Sequence, residues 1–178
     1  MPVINYLTTC IFDSGALKQL AGTAKKLGMT RPFIVTVEDA LGVAAAGVFA
    51  ETVPNPTEKQ TKEAAAAYKA CGADGLIALG GGSSMDHAKG IGLLVSHDEP
   101  LENYAAITGG AKKIGKIPPL IAIPTTSGTG SEVSVGLVLV LENGRKETIV
   151  SPNLIPATAI CDPDLTLGLP AGLTAATG

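Results

Sequence analysis

Gly75-Leu76-Ile77-Ala78-Leu79-Gly80-Gly81-Gly82-Ser83-Ser84 is the stretch that decides the fold. Leu76 to Leu79 is a short apolar run without alternation, the pattern of a strand buried on both faces. Three consecutive glycines follow, and a helix is expected from about Ser84 to Val95. Backbone N–H groups at a helix N-terminus lack intrahelical partners and carry partial positive charge. Glycines there leave no side chain in the way, so a pyrophosphate can approach and accept from them. Ser83 or Ser84 can cap the helix and donate to a phosphate oxygen. The alternative is a tight strand-to-helix turn with no ligand. The turn is not the G-x-G-x-x-G fingerprint, because Met85 stands where the last glycine belongs, and no Gly-Lys-Ser/Thr of a P-loop follows.

Outward from this point, apolar strands alternate with helices. Thr9 to Phe12 reads as a strand. Asp13 or Ser14 can cap a helix from Gly15 to Leu27, which Gly28 stops. Pro32 to Val37 is a buried strand. Thr57 caps an Ala-rich helix from Glu58 to Cys71, ended by Gly72. Pro119 to Ile123 is another apolar strand. Val133 to Leu141 and Glu147 to Val150 flank Asn143-Gly144, the pattern of a hairpin with a type I′ turn. Thr158 to Cys161 is a last strand, and Leu165 to Leu169 and Leu173 to Ala176 are helical. The class is α/β, with a largely parallel sheet, flanking helices and a β-hairpin. Ligands in such sheets bind at the carboxyl ends of the strands, where the loops after Leu79 and Ile123 lie. One crossover is short. Only residues 38 to 47 separate Val37 from the next strand candidate at Val48-Phe49, whereas a parallel crossover takes a dozen or more. Either the second strand is missing or a piece of chain is.

Composition narrows the function. The chain has 178 residues, 46% of them hydrophobic and 16% charged, which supports a core and excludes a disordered segment. Its net charge of −3 and lack of basic runs argue against nucleic acid as a partner. No apolar run has the length of a membrane span, and Met1 to Cys10 does not read as a signal peptide. Cys10, Cys71 and Cys161 are scattered and read as small buried residues of a reducing compartment, so the cytoplasm is the expected location.

A second candidate site is Pro124-Thr125-Thr126-Ser127-Gly128-Thr129-Gly130-Ser131-Glu132. Its hydroxyls are neutral donors suited to phosphate, ribose or a carboxamide. A plain surface loop is the alternative. Asp86, expected in the first turn of the helix, either complements the helix dipole or lines the site. His87 is expected to be structural or exposed, and His97 to lie on the surface. Two histidines without matched carboxylates make no metal site. From the residues alone, Lys146 can be an ordinary solvated lysine.

Four segments in order carry a resemblance: Val53 to Thr57, Gly72 to Lys89, Ile123 to Val133 and Ile160 to Leu165. Together they resemble the iron-containing (group III) alcohol dehydrogenases, over nearly the whole chain. The resemblance implies a dehydroquinate-synthase-like N-terminal domain that binds NAD or NADP. It also implies a C-terminal helical domain that holds iron or another divalent metal with one Asp and three His. By position, Gly81, Gly82 and Ser83 are implied to hold the pyrophosphate. Thr125, Thr126, Thr129 and Ser134 are implied to line the nicotinamide and ribose side. Ser134 stands where family members often carry Thr. Asn55 and Lys146 are implied to be further cofactor contacts. No catalytic residue is assigned, and no metal ligand is found in the chain.

Two departures stand out. The family's Thr-Asp at the end of the strand before the crossover is here Thr36-Val37, with Glu38 and Asp39 next. The choice between NAD and NADP therefore stays open; an acidic residue there would favour NAD. The family also has a helix and most of a strand where this chain runs from Ala46 to Phe49, so roughly 15 residues are expected to be missing there, with a break between Gly47 and Val48. The expected division is a dinucleotide-binding domain over 1–164 and the start of a helical domain over 165–178. The implied activity is hydride transfer between an alcohol and a nicotinamide. The rivals are a glycerol dehydrogenase, a hydroxyacid–oxoacid transhydrogenase and a non-catalytic nucleotide-binding fragment. The implied partners are a small alcohol or aldehyde, the helical domain and a second copy of the chain.

Overall fold

The computed structural model describes residues 8–36, 44–98 and 100–177. Six strands form one parallel sheet: β1 (Thr9–Phe12), β2 (Pro32–Val35), β3 (Gly47–Phe49), β4 (Gly75–Gly80), β5 (Leu120–Pro124) and, after the hairpin, β8 (Thr158–Cys161). Their order is β1-β8-β5-β4-β2-β3. The hairpin pairs β6 (Gly136–Val140) with β7 (Lys146–Val150), antiparallel and apart from the sheet. The helices are α1 (Leu20–Lys26), α2 (Glu58–Ala70), α3 (Gly82–Ser96) and α4 (Ala171–Thr177), with several 3-10 turns between.

Strand periodicity sorts the core into two layers. Phe33, Val35, Leu76, Ala78, Leu120 and Ala122 face Ala64, Ala65 and Tyr68 of α2 and Met85, Ala88 and Ile91 of α3. The intervening Ile34, Ile77, Leu79, Ile121 and Ile123 face Ala16, Leu20 and Ala24 around α1. The hairpin packs on the outer side of α3, where Leu93 meets Leu137, Leu139 and Ile149. Gly90 makes this approach possible, since a Cβ there would come within 3.0 Å of both Leu139 and Thr61.

The short second crossover does not cost the sheet a strand. Gly47, Val48 and Phe49 pair in parallel with Phe33, Ile34 and Val35. Gly47 and Val48 are consecutive residues of that strand. Val37, Glu38 and Asp39, which bear on the cofactor choice, lie outside the described residues.

Local expectations hold in several places. Thr57 accepts a hydrogen bond from the Gln60 N–H at 3.2 Å, and Gly28 and Gly72 end their helices at φ 75° and 63°. Three differ. The helix expected from Gly15 begins as a 3-10 turn over Ala16–Gln19, and its cap is neither Asp13 nor Ser14. The buried Asp162 carboxylate accepts from the Gly15 and Leu17 N–H groups at 3.0 and 2.9 Å, across the sheet from the far end of the chain. These bonds, the Leu17 one foremost, hold Asp162 below the usual carboxylate range. The hairpin turn is not type I′, which needs two left-handed residues. Only Gly144 has positive φ, at 77°. Leu141 N–H donates to Arg145 O and Gly144 N–H to Leu141 O, both at 2.9 Å, so the loop is a three-residue one with a glycine bulge. The cysteines also differ: Cys10 is exposed, and its Sγ lies 3.7 Å from that of Cys161 on the neighbouring strand. Burial first, and then Cys10, pushes the Cys161 thiol up to about 12.

Candidate functional site

β4 and β5 end side by side, Gly80 opposite Pro124, and both candidate loops leave the sheet at this carboxyl edge. Thr125 N–H donates to Gly80 O at 3.0 Å, which ties the roots of the loops together. Gly80 adopts φ 139°, and a Cβ there would strike Ser84 Oγ at 2.5 Å. The chain therefore needs glycine simply to enter the helix. Gly81 is the cap residue in extended conformation, with no side-chain cap, and α3 begins at Gly82, two residues earlier than Ser84. Ser83 and Ser84 thus lie inside the first turn, and Asp86 in the second.

Gly81 and Gly82 face the hydroxyl loop. A Cβ on Gly81 would lie 3.4 Å from Thr126 Oγ1. One on Gly82 would lie 3.3 Å from Ser131 Oγ and 3.4 Å from Thr129 Cβ. Bare backbone on one side and hydroxyls on the other form a narrow cradle that side chains would close. On the flank, Asn55, at φ 57°, donates its N–H to Ser83 Oγ at 3.4 Å and accepts from Lys146 Nζ at 2.7 Å. Lys146 is exposed, so its charge is available at the rim of the turn. A cavity of about 430 Å³ opens on the β1–β8 side of the hydroxyl loop, lined among others by Phe12, Thr126, Glu132, Cys161 and Thr166. Thr177 carbonyl oxygen packs against Gly128, so α4 reaches back to this loop.

Ser134 differs from the other candidates. Its hydroxyl accepts a hydrogen bond from Lys89 Nζ at 2.9 Å and donates to Gly136 O at 3.1 Å. Lys89 ends the Gly72–Lys89 segment, and the sequence alone gives it no role, since one lysine in a helix is indistinguishable from a solvated one. Here it is fully buried, and burial drives its pKa down to about 8. Asp86 lies beyond the first turn and so does not complement the helix end: its Oδ2 accepts the Val138 N–H at 3.0 Å and fastens the hairpin to α3. Burial raises its pKa, opposed by the Lys89 charge. His87 is structural, fully buried with Nδ1 2.9 Å from Thr52 Oγ1. Burial holds it down to about 4, neutral at physiological pH. His97 is half-buried rather than on the surface: its Nε2 accepts the Gly115 N–H at 2.8 Å.

Among the described residues, no group of three or more His, Cys, Asp or Glu side chains is placed to hold a metal ion. The described residues therefore do not fit a metal, and no step is assigned to one.

The comparisons with known proteins agree with this geometry. The family model for iron-containing alcohol dehydrogenase matches residues 8–163. The 4-hydroxybutyrate dehydrogenase of Cupriavidus necator is 50% identical over 100% of this chain and 50% of its own length. That alignment runs over 194 positions against 178 residues, so it opens gaps opposite this chain. Lactaldehyde reductase of Escherichia coli (strain K12) is 35% identical, over 96% of this chain and 48% of its own. Among solved structures, sulfoacetaldehyde reductase from Bifidobacterium kashiwanohense in complex with NAD+ superposes with a TM-score of 0.87 at 31% identity, over 99% of this chain and 50% of that one. The chain spans about half the length of the curated relatives it matches. A parallel sheet with a glycine turn, a facing hydroxyl loop and a match across nearly all of the described residues has one reading: this chain belongs to the iron-containing alcohol dehydrogenase family.

Proposed function

We propose that this chain is the dinucleotide-binding half of an NAD(P)-dependent alcohol dehydrogenase. The observation that carries the reading is the meeting of two loops at one sheet edge, the bare backbone of Gly81 and Gly82 opposite Thr126, Thr129 and Ser131. The N–H groups of the α3 first turn suit a pyrophosphate, and Ser83 adds a hydroxyl. Thr125, Thr126 and Thr129 suit the ribose and nicotinamide side. Asn55 and Lys146 form a polar, cationic flank. Ser134, bonded to Lys89 and Gly136, also braces the loop that carries Thr125, Thr126 and Thr129. The cavity beside Thr126 suits the nicotinamide end and the substrate that meets it.

A bound nicotinamide dinucleotide supplies hydride acceptance from an alcohol carbon. The residues of this chain bind and orient it. The substrate class proposed is a small alcohol or its aldehyde, and the 50% identity to a 4-hydroxybutyrate dehydrogenase favours a hydroxy acid within that class. Residues 1–164 form the dinucleotide domain, and 165–178 begin a helical domain that carries the family's metal. A second copy of the chain is the proposed partner. The cytoplasm is the proposed location; no helix among the described residues is long and apolar enough to cross a membrane.

The test is a thermal-shift and fluorescence titration of the 178-residue chain with NADH and NADPH, beside an alcohol-oxidation assay. Binding without turnover is expected. Absence of binding would overturn the dinucleotide reading. Sustained alcohol oxidation by this chain would overturn the assignment as half of an enzyme.

A further inference from the structure

Lys89 sits on α3 two turns in from the glycine turn, with 0% exposure. Its Nζ donates to the carbonyl oxygens of Ser131 at 2.8 Å, Ser134 at 3.1 Å and Gly136 at 2.7 Å, and to Ser134 Oγ at 2.9 Å. An ammonium has three N–H groups, so this cage uses them all. Every acceptor belongs to residues 131–136, the stretch that runs from the end of the hydroxyl loop into the first residue of β6. Ser131 and Thr129 in turn face Gly82. Converging carbonyl dipoles repel one another unless a cation sits among them, and the segment is bent around this one.

We propose that Lys89 is the positioning residue of the dinucleotide site: it fastens residues 131–136 to α3 and thereby sets the gap between the hydroxyl loop and the glycine turn. This rests on the dinucleotide reading above. A buried cation is an expensive way to hold a core together, because an apolar residue of similar volume does so without desolvation. What the cation adds is a fixed geometry for the turn through residues 131–134, which lies ahead of the β6 ladder that begins at Gly136. Lys89 and the cradle are therefore coupled although Lys89 touches no ligand.

The charged groups around Lys89 are Asp86 on α3 and Glu132 on the loop, both favouring the ammonium. Lys146 of the hairpin acts on Asp86. Burial outweighs both carboxylates and brings Lys89 to about 8. A neutral amine has two N–H groups and a lone pair, so above that pH the cage loses a donor and gains a repulsion.

The experiment titrates NADH (or NADPH, if that binds better) into wild type, Lys89→Met and Lys89→Arg from about pH 6.5 to 9.5, and follows amide hydrogen exchange by segment. Wild-type affinity is expected to fall about tenfold as pH rises through the range. Lys89→Met is expected to bind on the order of 30-fold more weakly at pH 7, with a flat profile. Its amides over 131–136 should exchange faster while those of β4 and β5 do not. Lys89→Arg keeps its charge throughout, so it should recover part of the affinity and lose the pH dependence. If Lys89→Met does not fold, the sloped wild-type profile against the flat Lys89→Arg one decides. A flat wild-type profile, Lys89→Met affinity within about twofold of wild type, or faster exchange spread equally over β4 and β5 would each overturn the proposal. Failure of wild type to bind either dinucleotide would overturn the underlying reading, and this inference with it.

Discussion

The glycine turn and the hydroxyl loop face each other across a few ångströms, yet they are built by different physics. The turn is made of local backbone. A buried strand ends, Gly80 takes a φ of 139° that other residues avoid, and α3 starts at once. The hydroxyl loop has no helix to order it. It is held at its root by Thr125 N–H on Gly80 O, and at its far end by a lysine from α3. One wall of the cradle is set by neighbours in sequence, the other by a side chain 42 residues away. The first wall should therefore be sensitive to volume and the second to charge.

The largest effect tests the first wall. Gly82→Val places a branched side chain where Thr129 and Ser131 already come within 3.4 Å of the Cβ position. Gly82 has no left-handed φ to forbid the change, so the fold should survive by a small shift of the loop. The cradle should not, and NADH affinity is expected to fall at least about 1000-fold while circular dichroism is unchanged. Tight binding by a folded variant would show that the turn is not the phosphate wall.

The second wall carries a signature in stability as well. Lys89 titrates near 8 when folded and near 10.5 when not. Between those values the unfolded chain binds more protons, so folding stability should rise with pH from about 8 to 10.5, by on the order of 3 kcal/mol from this group. Urea unfolding across that range should show the rise in wild type and lose it in Lys89→Met. His87 gives an acid limb of the same form. Its folded value of about 4 lies below the ordinary 6.5, so stability is full above 6.5 and is lost as pH falls through 4. His87→Leu should flatten that limb and leave the alkaline one alone.

The same contrast explains what the sequence disclosed. The glycine turn, the caps at Thr57, Gly28 and Gly72, and the apolar strands were legible because each rests on residues within a few positions of one another. The parallel sheet followed from them. Lys89 was not legible, because burial of a helical lysine depends on a loop folded over it from far along the chain. Asp162 was missed as the cap of the first 3-10 turn for the same reason. Its acceptor geometry exists only once β8 lies near that turn. The hairpin turn was half legible: Asn143-Gly144 marks a reversal, but the same pair fits a two-residue loop or a three-residue one with a bulge. Strand register decides, and it pairs Val140 with Lys146. The third strand shows that chain economy can mislead, since Gly47–Phe49 joins the sheet despite a crossover shorter than the usual one.

An intermediate effect separates the loop's hydroxyls from its backbone. Thr126→Val keeps the shape opposite Gly81 and removes one donor. NADH affinity should fall about tenfold, with no change in the pH profile attributed to Lys89. A shifted profile would mean that the two are not separable.

The smallest effect belongs to the rim, which neither wall builds. Lys146 reaches Asn55 Oδ1 at 2.7 Å, and Asn55 N–H reaches Ser83 Oγ, so hairpin, loop and helix start are linked in a chain. Because Lys146 is exposed, its attraction for a pyrophosphate is screened by water and salt. Lys146→Gln keeps a donor for Asn55 and removes the charge. It should weaken NADH binding about threefold at low ionic strength, and the difference should vanish in about 0.5 M salt. Lys89→Met should behave in the opposite way, its defect persisting at high salt because its cage excludes solvent. Two lysines with the same formal charge would then be told apart by salt alone. If both defects were screened equally, the second wall would be as open to solvent as the rim, and the distinction between a built wall and a charged edge would fail.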